Sequence, residues 1–329
     1  MLQCAEILIS KIMRNQVNIG EQLDNYHIED LLQHTPFAST FKATDVRTQR
    51  TVLIKIPHPD IETDPIFSDR FKREEEIGSS LQHPGLLNVL NDGAQSRLYL
   101  VMPWFDGQSL RQVLSQQKKL STERTTKIIL AICDVLEFVE NHGITHRDLR
   151  PENVLIDRQD EIKLINFAAA AKIGARRITF ANLAQSVGVS DYISPEELKG
   201  KRGDARSDIY ALGVILYEML TGRTPFLGID PFSRLGKHPP SPREIEPSIS
   251  PQLQEVIYRA LEPEPGSRYA NAFAFAYDLR HLDQVALLTR RSETQNEQPA
   301  TRTRKILVYA GLALIPVIIF ALLLVFARQ

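Results

Sequence analysis

Short runs rich in β-branched and aromatic residues mark the chain between Tyr26 and about residue 103, and the pattern then changes to a helical one. Thr51-Val52-Leu53-Ile54-Lys55-Ile56 and Leu98-Tyr99-Leu100-Val101-Met102 predict strands, because β-branched and aromatic side chains suit a pleated, half-buried surface. A charged helix is predicted between them, over 69–81. After Gly107, Ile128, Ile132, Val135, Leu136 and Val139 recur at helical spacing, and Gly143 closes the run. Further apolar helices are predicted over 208–220, 252–261 and 272–282, the last with Asn271 as its N-cap. Strands first and helices later imply an α+β fold of two lobes, a small sheet-bearing one with one long helix and a larger helical one.

The two ends read differently. Residues 1–25 are polar and mixed and are expected to form a flexible arm, with Met1 or Met13 as its start. Residues 285–305 read as a polar linker. Residues 306–327 carry no charge, and a helix of that length spans roughly 33 Å, matching a bilayer core. Pro316 within it is tolerable in a membrane helix and costly in a soluble one. Arg302, Arg304 and Lys305 precede the run, so the positive-inside bias predicts a single-pass protein of the cell membrane with residues 1–305 in the cytoplasm.

Composition narrows the function. With 329 residues, 43% apolar and 24% charged, the chain can bury a full core. A net charge of -1 provides no basic field for nucleic acid, so that partner is not expected. Cys4 and Cys133 are far apart and match no metal-ligand spacing, and Cys133 is expected inside a helix core.

The chemistry is concentrated in ordered motifs: Val52-Leu53-Ile54-Lys55, Arg73-Glu74, His83-Pro84, Met102-Pro103-Trp104-Phe105, His146-Arg147-Asp148-Leu149-Arg150-Pro151-Glu152-Asn153, Asn166-Phe167-Ala168, Ser194-Pro195-Glu196, Asp208 and Arg268. Over about residues 26–284 this series resembles the eukaryotic-like (Hanks-type) Ser/Thr protein kinases of bacteria, with an N-lobe over 26–103 and a C-lobe over 106–284. The resemblance implies a bilobal kinase fold, ATP and Mg²⁺ as cofactors, and a protein substrate or partner. It implies that Lys55 pairs with nucleotide phosphates and with Glu74, and that Thr40, Leu53, Met102, Phe105 and Leu155 line the nucleotide cleft. Asp148 would be the catalytic base, Arg150 would stand beside the transferred phosphate, and Asn153 and the residue at 166 would hold metal. Arg268 would pair with Glu196, and Asp208 would support the catalytic loop.

Four departures fall around the nucleotide. The loop that would be G-x-G-x-x-G reads Gln33-His34-Thr35-Pro36-Phe37-Ala38, without the glycines that let a backbone approach phosphates. Leu53 stands where a small alanine would face the adenine, with Thr40 in place of the valine opposite. Asn166 replaces the metal-binding aspartate and brings no charge. Ala168 replaces the glycine on which this segment pivots. Together they predict weak ATP binding and weak or absent Mg²⁺ binding. A pseudokinase scaffold or regulator is therefore the leading expectation, with an atypical active Ser/Thr kinase and a metal-free nucleotide-binding switch as alternatives. Contact through the activation segment or helical lobe is expected, the membrane is a second partner through 306–327, and homodimerisation is left open. Thr179, Ser186 and Ser190 are candidate phosphorylation sites near Arg176 and Arg177.

Overall fold

A computed structural model of the chain describes residues 17–62, 64–90, 95–172 and 190–288. The compact unit spans residues 1–286, and a second unit spans 287–329, of which only residues 287 and 288 are described.

The first lobe is a five-stranded antiparallel sheet in the order β1 (Gln22–Leu23), β2 (Tyr26–His34), β3 (Ala38–Asp45), β4 (Arg50–Pro57) and β5 (Leu100–Pro103). Alternation along the strands separates its two faces. Val52, Ile54 and Ile56 join Tyr26, Ile28, Phe41 and Val101 in the core of one face. Leu53, Leu100 and Met102 turn to the other, where Phe71 of helix α1 (Pro65–Ser80) packs on them. Register then sets cleft-side neighbours: Thr40 lies opposite Lys55, Leu53 opposite Met102, and Lys55 opposite Leu100.

The second lobe is organised by α2 (Leu110–Gln117), α3 (Thr122–Asn141), α4 (Ala205–Thr221), α5 (Pro251–Ala260) and α6 (Ala272–Arg280). Helix α4 is buried from Ser207 to Thr221 and is apolar over most of that stretch, with Asp208 and Glu218 as its charged residues there. Asn271 caps α6 by accepting the Ala274 N–H at 2.9 Å, and Gly222 ends α4 in the left-handed conformation at φ 78°. Cys133 is buried in α3, and burial pushes its thiol well above the usual range.

Several boundaries differ from the sequence expectations. The arm expected over 1–25 is part of the sheet from Gln22, because Leu23 is buried and β1 pairs with β2. Helix α1 begins at Pro65, whose missing N–H costs nothing in a first turn, and α6 ends at Arg280. The strand expected from Leu98 starts at Leu100. Among the described residues no helix is long and apolar enough to cross a membrane. The span expected over 306–327 lies outside the described residues, as do residues 1–16 and most of the linker.

Candidate functional site

The loop after α3 is built on Asp208 of α4. Its carboxylate accepts the backbone N–H of His146 at 2.7 Å and of Arg147 at 2.8 Å, which holds Arg147 at φ 65°. Burial pushes Asp208 up to about 8, against these two bonds. His146 is fully buried, and burial lowers it to about 4, so it is neutral at physiological pH. Its ring meets Phe167 edge-on at 4.8 Å and its Nε2 lies 3.1 Å from the Ile165 carbonyl. The 146–153 loop and the 165–169 segment are thereby packed as one piece.

Into this piece reaches Lys55 from β4. Its Nζ is 2.6 Å from Glu74 Oε2 on α1 and 3.3 Å from Asn166 Oδ1. Asn166 sits at φ 71°, ψ 69°, a left-handed conformation that asparagine tolerates better than most residues. Its amide can face only one way, because an ammonium donates and cannot accept; the oxygen turns to Lys55 and the nitrogen turns inward. That nitrogen donates to Asp148 Oδ2 at 3.0 Å and to Asn153 Oδ1 at 3.2 Å. Asn153 Nδ2 in turn donates to Asp148 Oδ2 at 2.9 Å and to the Asp148 carbonyl at 2.7 Å. The result is a closed chain, Glu74–Lys55–Asn166–Asp148/Asn153, in which each polar group meets its complement.

The oxygens expected to hold a metal are therefore already faced by N–H donors. Asp148 is the carboxylate that meets the two asparagines, and burial pushes it up to about 6 despite Arg150 and Asn153, which act the other way. Arg150 points along the loop, donating through Nε to Glu152 Oε2 at 2.8 Å. Arg111 of α2 holds the same Glu152 at 2.9 Å and Glu218 of α4 at 2.6 Å, and Tyr192 completes this cluster. The pairs with Arg150, then Arg111, keep Glu152 down near 2 against the effect of burial.

The glycine-free turn is closed on itself. The Thr35 N–H donates to the Ala38 carbonyl at 3.0 Å, while the Phe37 and Ala38 N–H groups donate to Thr35 Oγ1 at 3.3 and 3.1 Å. Pro36 has no N–H. All the backbone donors of residues 35–38 are thus committed within the turn, and Phe37 stacks on Phe67 of α1 at 4.9 Å. Leu53 and Met102 are buried in one apolar cluster, against which Phe105 and Leu155 pack. A strand-borne side chain and residues of the second lobe thus belong to one continuous apolar body.

Of the residues named from the sequence, Lys55, Glu74, Asp148, Asn153 and Asn166 are joined by hydrogen bonds, Leu53, Met102, Phe105 and Leu155 share one apolar cluster, and Thr40 lies opposite Lys55 in the sheet. Arg150 turns to Glu152. The role of Thr35 was not foreseen, although a threonine beside Pro36 in a tight turn is a signal for such a cap. The Arg111 cluster was also missed, because its members are far apart in sequence. Away from the cleft, Arg268 forms a bidentate pair with Glu196 at 2.8 Å on both arms. Thr179, Ser186, Arg176 and Arg177 lie outside the described residues.

The family profile described as protein kinase domain matches residues 26–278. A probable serine/threonine-protein kinase of Streptomyces coelicolor is 35% identical over 263 residues, covering 77% of this chain and 39% of that protein. The serine/threonine-protein kinase PknB of Mycolicibacterium smegmatis is 33% identical over 267 residues, covering 78% of this chain and 42% of PknB. The matched region is thus less than half the length of these relatives. Among solved structures, the Mycobacterium tuberculosis PknI kinase domain superposes with a TM-score of 0.64 at 24% identity, over 81% of this chain and 100% of that domain. That likeness bears on the fold alone.

Proposed function

This chain belongs to the protein kinase family, and we propose that within it the chain acts as a signalling scaffold or regulator in which phosphoryl transfer is impaired. The observation that carries this reading is the Asn166 amide, held by Lys55 so that its N–H groups meet Asp148 and Asn153. In an active site of this family a divalent cation is gripped by carboxylate and amide oxygens together with nucleotide phosphates. Here a neutral donor takes that place, the turn at 35–38 has no backbone donor to spare for phosphate, and Leu53 fills apolar space beside Met102. The residues do not suit Mg²⁺-bound ATP.

What persists is a shaped surface. The Lys55–Glu74 pair within the first lobe, and the packed His146 and Phe167 and the Glu196–Arg268 bridge within the second, hold each lobe in shape, while Lys55 to Asn166 and Arg73 to the Ala170 carbonyl join the two. We place the working contact with a protein partner on the helical lobe and the end of the activation segment, with residues 306–327 anchoring the chain in the cell membrane and the kinase-like unit in the cytoplasm.

A second reading, a slow Ser/Thr kinase acting on protein hydroxyls, is favoured by the 2.6 Å Lys55–Glu74 pair and by the retention of Asp148. One experiment separates the two. Purified protein is incubated with ATP and Mg²⁺ or Mn²⁺, and both melting temperature and transfer to protein hydroxyls are followed. The scaffold reading expects no metal-dependent shift and no transfer. Transfer abolished by Asp148→Asn would replace it with the kinase reading, and a shift with ATP that needs no metal would assign a nucleotide-binding switch.

A further inference from the structure

The strand alternation that turns Thr40, Leu53 and Lys55 toward the cleft turns Ser39, Phe41 and Ile56 to the opposite face of the sheet. A cavity of about 370 Å³ lies on that outer face, within the range of roughly 300 to 1,000 Å³ typical of small-molecule sites. Its apolar wall includes Leu31, Phe41 and Ile56, and Leu31 is 43% exposed. The polar end is made by His34, Ser39 and His58, with Arg97 beside them, and among the described residues no aspartate or glutamate lines it.

The polar end is built with some precision. His34 Nδ1 lies 3.0 Å from Ser39 Oγ, and His58 Nε2 lies 3.1 Å from the same oxygen. The two rings stack at 4.8 Å with an interplanar angle of 27°. A hydroxyl has one proton, so Ser39 donates to one ring and accepts from the other. When His34 Nδ1 is the acceptor, its Nε2 carries the proton and meets no acceptor among the described residues. The exposed His34 ring can then donate to a ligand. Arg97 is held in place by the Pro57 carbonyl at 3.3 Å and Glu62 at 2.9 Å, so it contributes a fixed guanidinium beside this donor.

An apolar wall ending in imidazole donors, beside the Arg97–Glu62 pair and with no carboxylate among the described lining residues, complements a ligand with a short hydrocarbon body and one negative head. We propose that this cavity, on the face of the sheet opposite the nucleotide cleft, binds a small amphipathic carboxylate of the medium-chain alkanoate class. Its chain lies on Leu31, Phe41 and Ile56, and its head group meets the His34–Ser39–His58 set beside Arg97. His34 and Ser39 stand at the two feet of the 35–38 turn, so the ligand braces the segment that covers the cleft from the other side.

Octanoate and octanol, which share the chain and differ in the head, are titrated calorimetrically into the full chain. The expected result is saturable one-site binding of octanoate at least tenfold tighter than octanol. The double variant His34→Phe with His58→Phe is expected to lose at least tenfold in octanoate affinity while keeping that for octanol. Leu31→Glu, at an exposed position where folding is not at stake, is expected to abolish octanoate binding. Equal affinity for the two probes, no saturable binding, or unchanged octanoate binding in Leu31→Glu would each overturn the proposal.

Discussion

The two sides of the catalytic loop have different fates in this molecule. Behind the loop, toward the helical lobe, Asp208 receives two backbone N–H groups, and Arg268 grips Glu196, itself bonded to Ser207. These contacts hold chain segments together, and the residues that make them belong to the motifs that carry the family resemblance. In front of the loop, where a nucleotide and metal would sit, Asn166 and the turn at 35–38 turn their donors inward on protein acceptors. The difference is one of position: behind the loop the polar contacts join segments of the helical lobe, and in front of it they tie together the residues that the family resemblance assigns to nucleotide and metal, the two sets meeting at the 146–153 loop.

The sharpest way to break this comparison is to attack the scaffold. Arg268→Met leaves Glu196 buried without its partner and is expected to destabilise the protein by about 3 to 5 kcal/mol, read by urea unfolding. A loss below 1 kcal/mol would mean that the helical lobe does not depend on this bridge. A smaller effect is expected at the front. Asn166→Asp removes the N–H bonds to Asp148 and Asn153 and sets two carboxylates side by side, costing about 1 to 3 kcal/mol without metal. Mg²⁺ with ATP should then raise the melting temperature of this variant and not of the parent. Equal shifts in both would show that Asn166 is not what excludes the metal.

A third test uses pH and concerns the back alone. Burial, with Glu137 and Asp204 adding to it, pushes the Glu140 carboxyl up to about 7, against the Ala272 N–H that it accepts at 3.3 Å. A carboxyl raised by folding contributes stability that is fully present below its unfolded value and is lost as pH rises through about 7. Glu140→Gln should flatten the stability profile between pH 4.5 and 7 and make the protein more stable than the parent at pH 8. An unchanged profile would discount the burial of this group. The smallest effect is expected at the turn: Thr35→Val removes the hydroxyl that accepts two amides, at about 1 kcal/mol, and frees both N–H groups. Tripolyphosphate binding that rises in this variant, followed by calorimetry, would show that the closed turn limits phosphate capture.

Much of this arrangement was legible from residue order. The switch from short β-branched runs to helical spacing at Gly107 separates the lobes, and the motifs around Lys55, Asp148 and Asp208 identify the residues that meet across them. The absence of glycine over 33–38 and of aspartate at 166 is plain in the chain itself. Less legible were the local boundaries. Gln22 and Leu23 look like part of a polar arm, yet β2 supplies a partner for their backbone and Leu23 finds apolar neighbours. The Arg111–Glu152–Glu218–Tyr192 cluster joins residues up to 107 positions apart, and no pattern along the chain announces it.

By itself the sequence determined the α+β class, through spacing and alternation, and its ordered motifs carried the resemblance to the kinase family; it also determined that asparagine stands at 166 and that no glycine lies over 33–38. Tertiary structure decided what takes the place of the lost groups. That the Asn166 amide turns its nitrogen to Asp148 depends on Lys55 arriving from a strand 111 positions away to claim the oxygen. That Thr35 uses up the turn's donors depends on a hairpin fold that brings its hydroxyl over Phe37 and Ala38. A sequence specifies which donors and acceptors exist; hydrogen bonds are directional, so only the folded geometry decides how they pair.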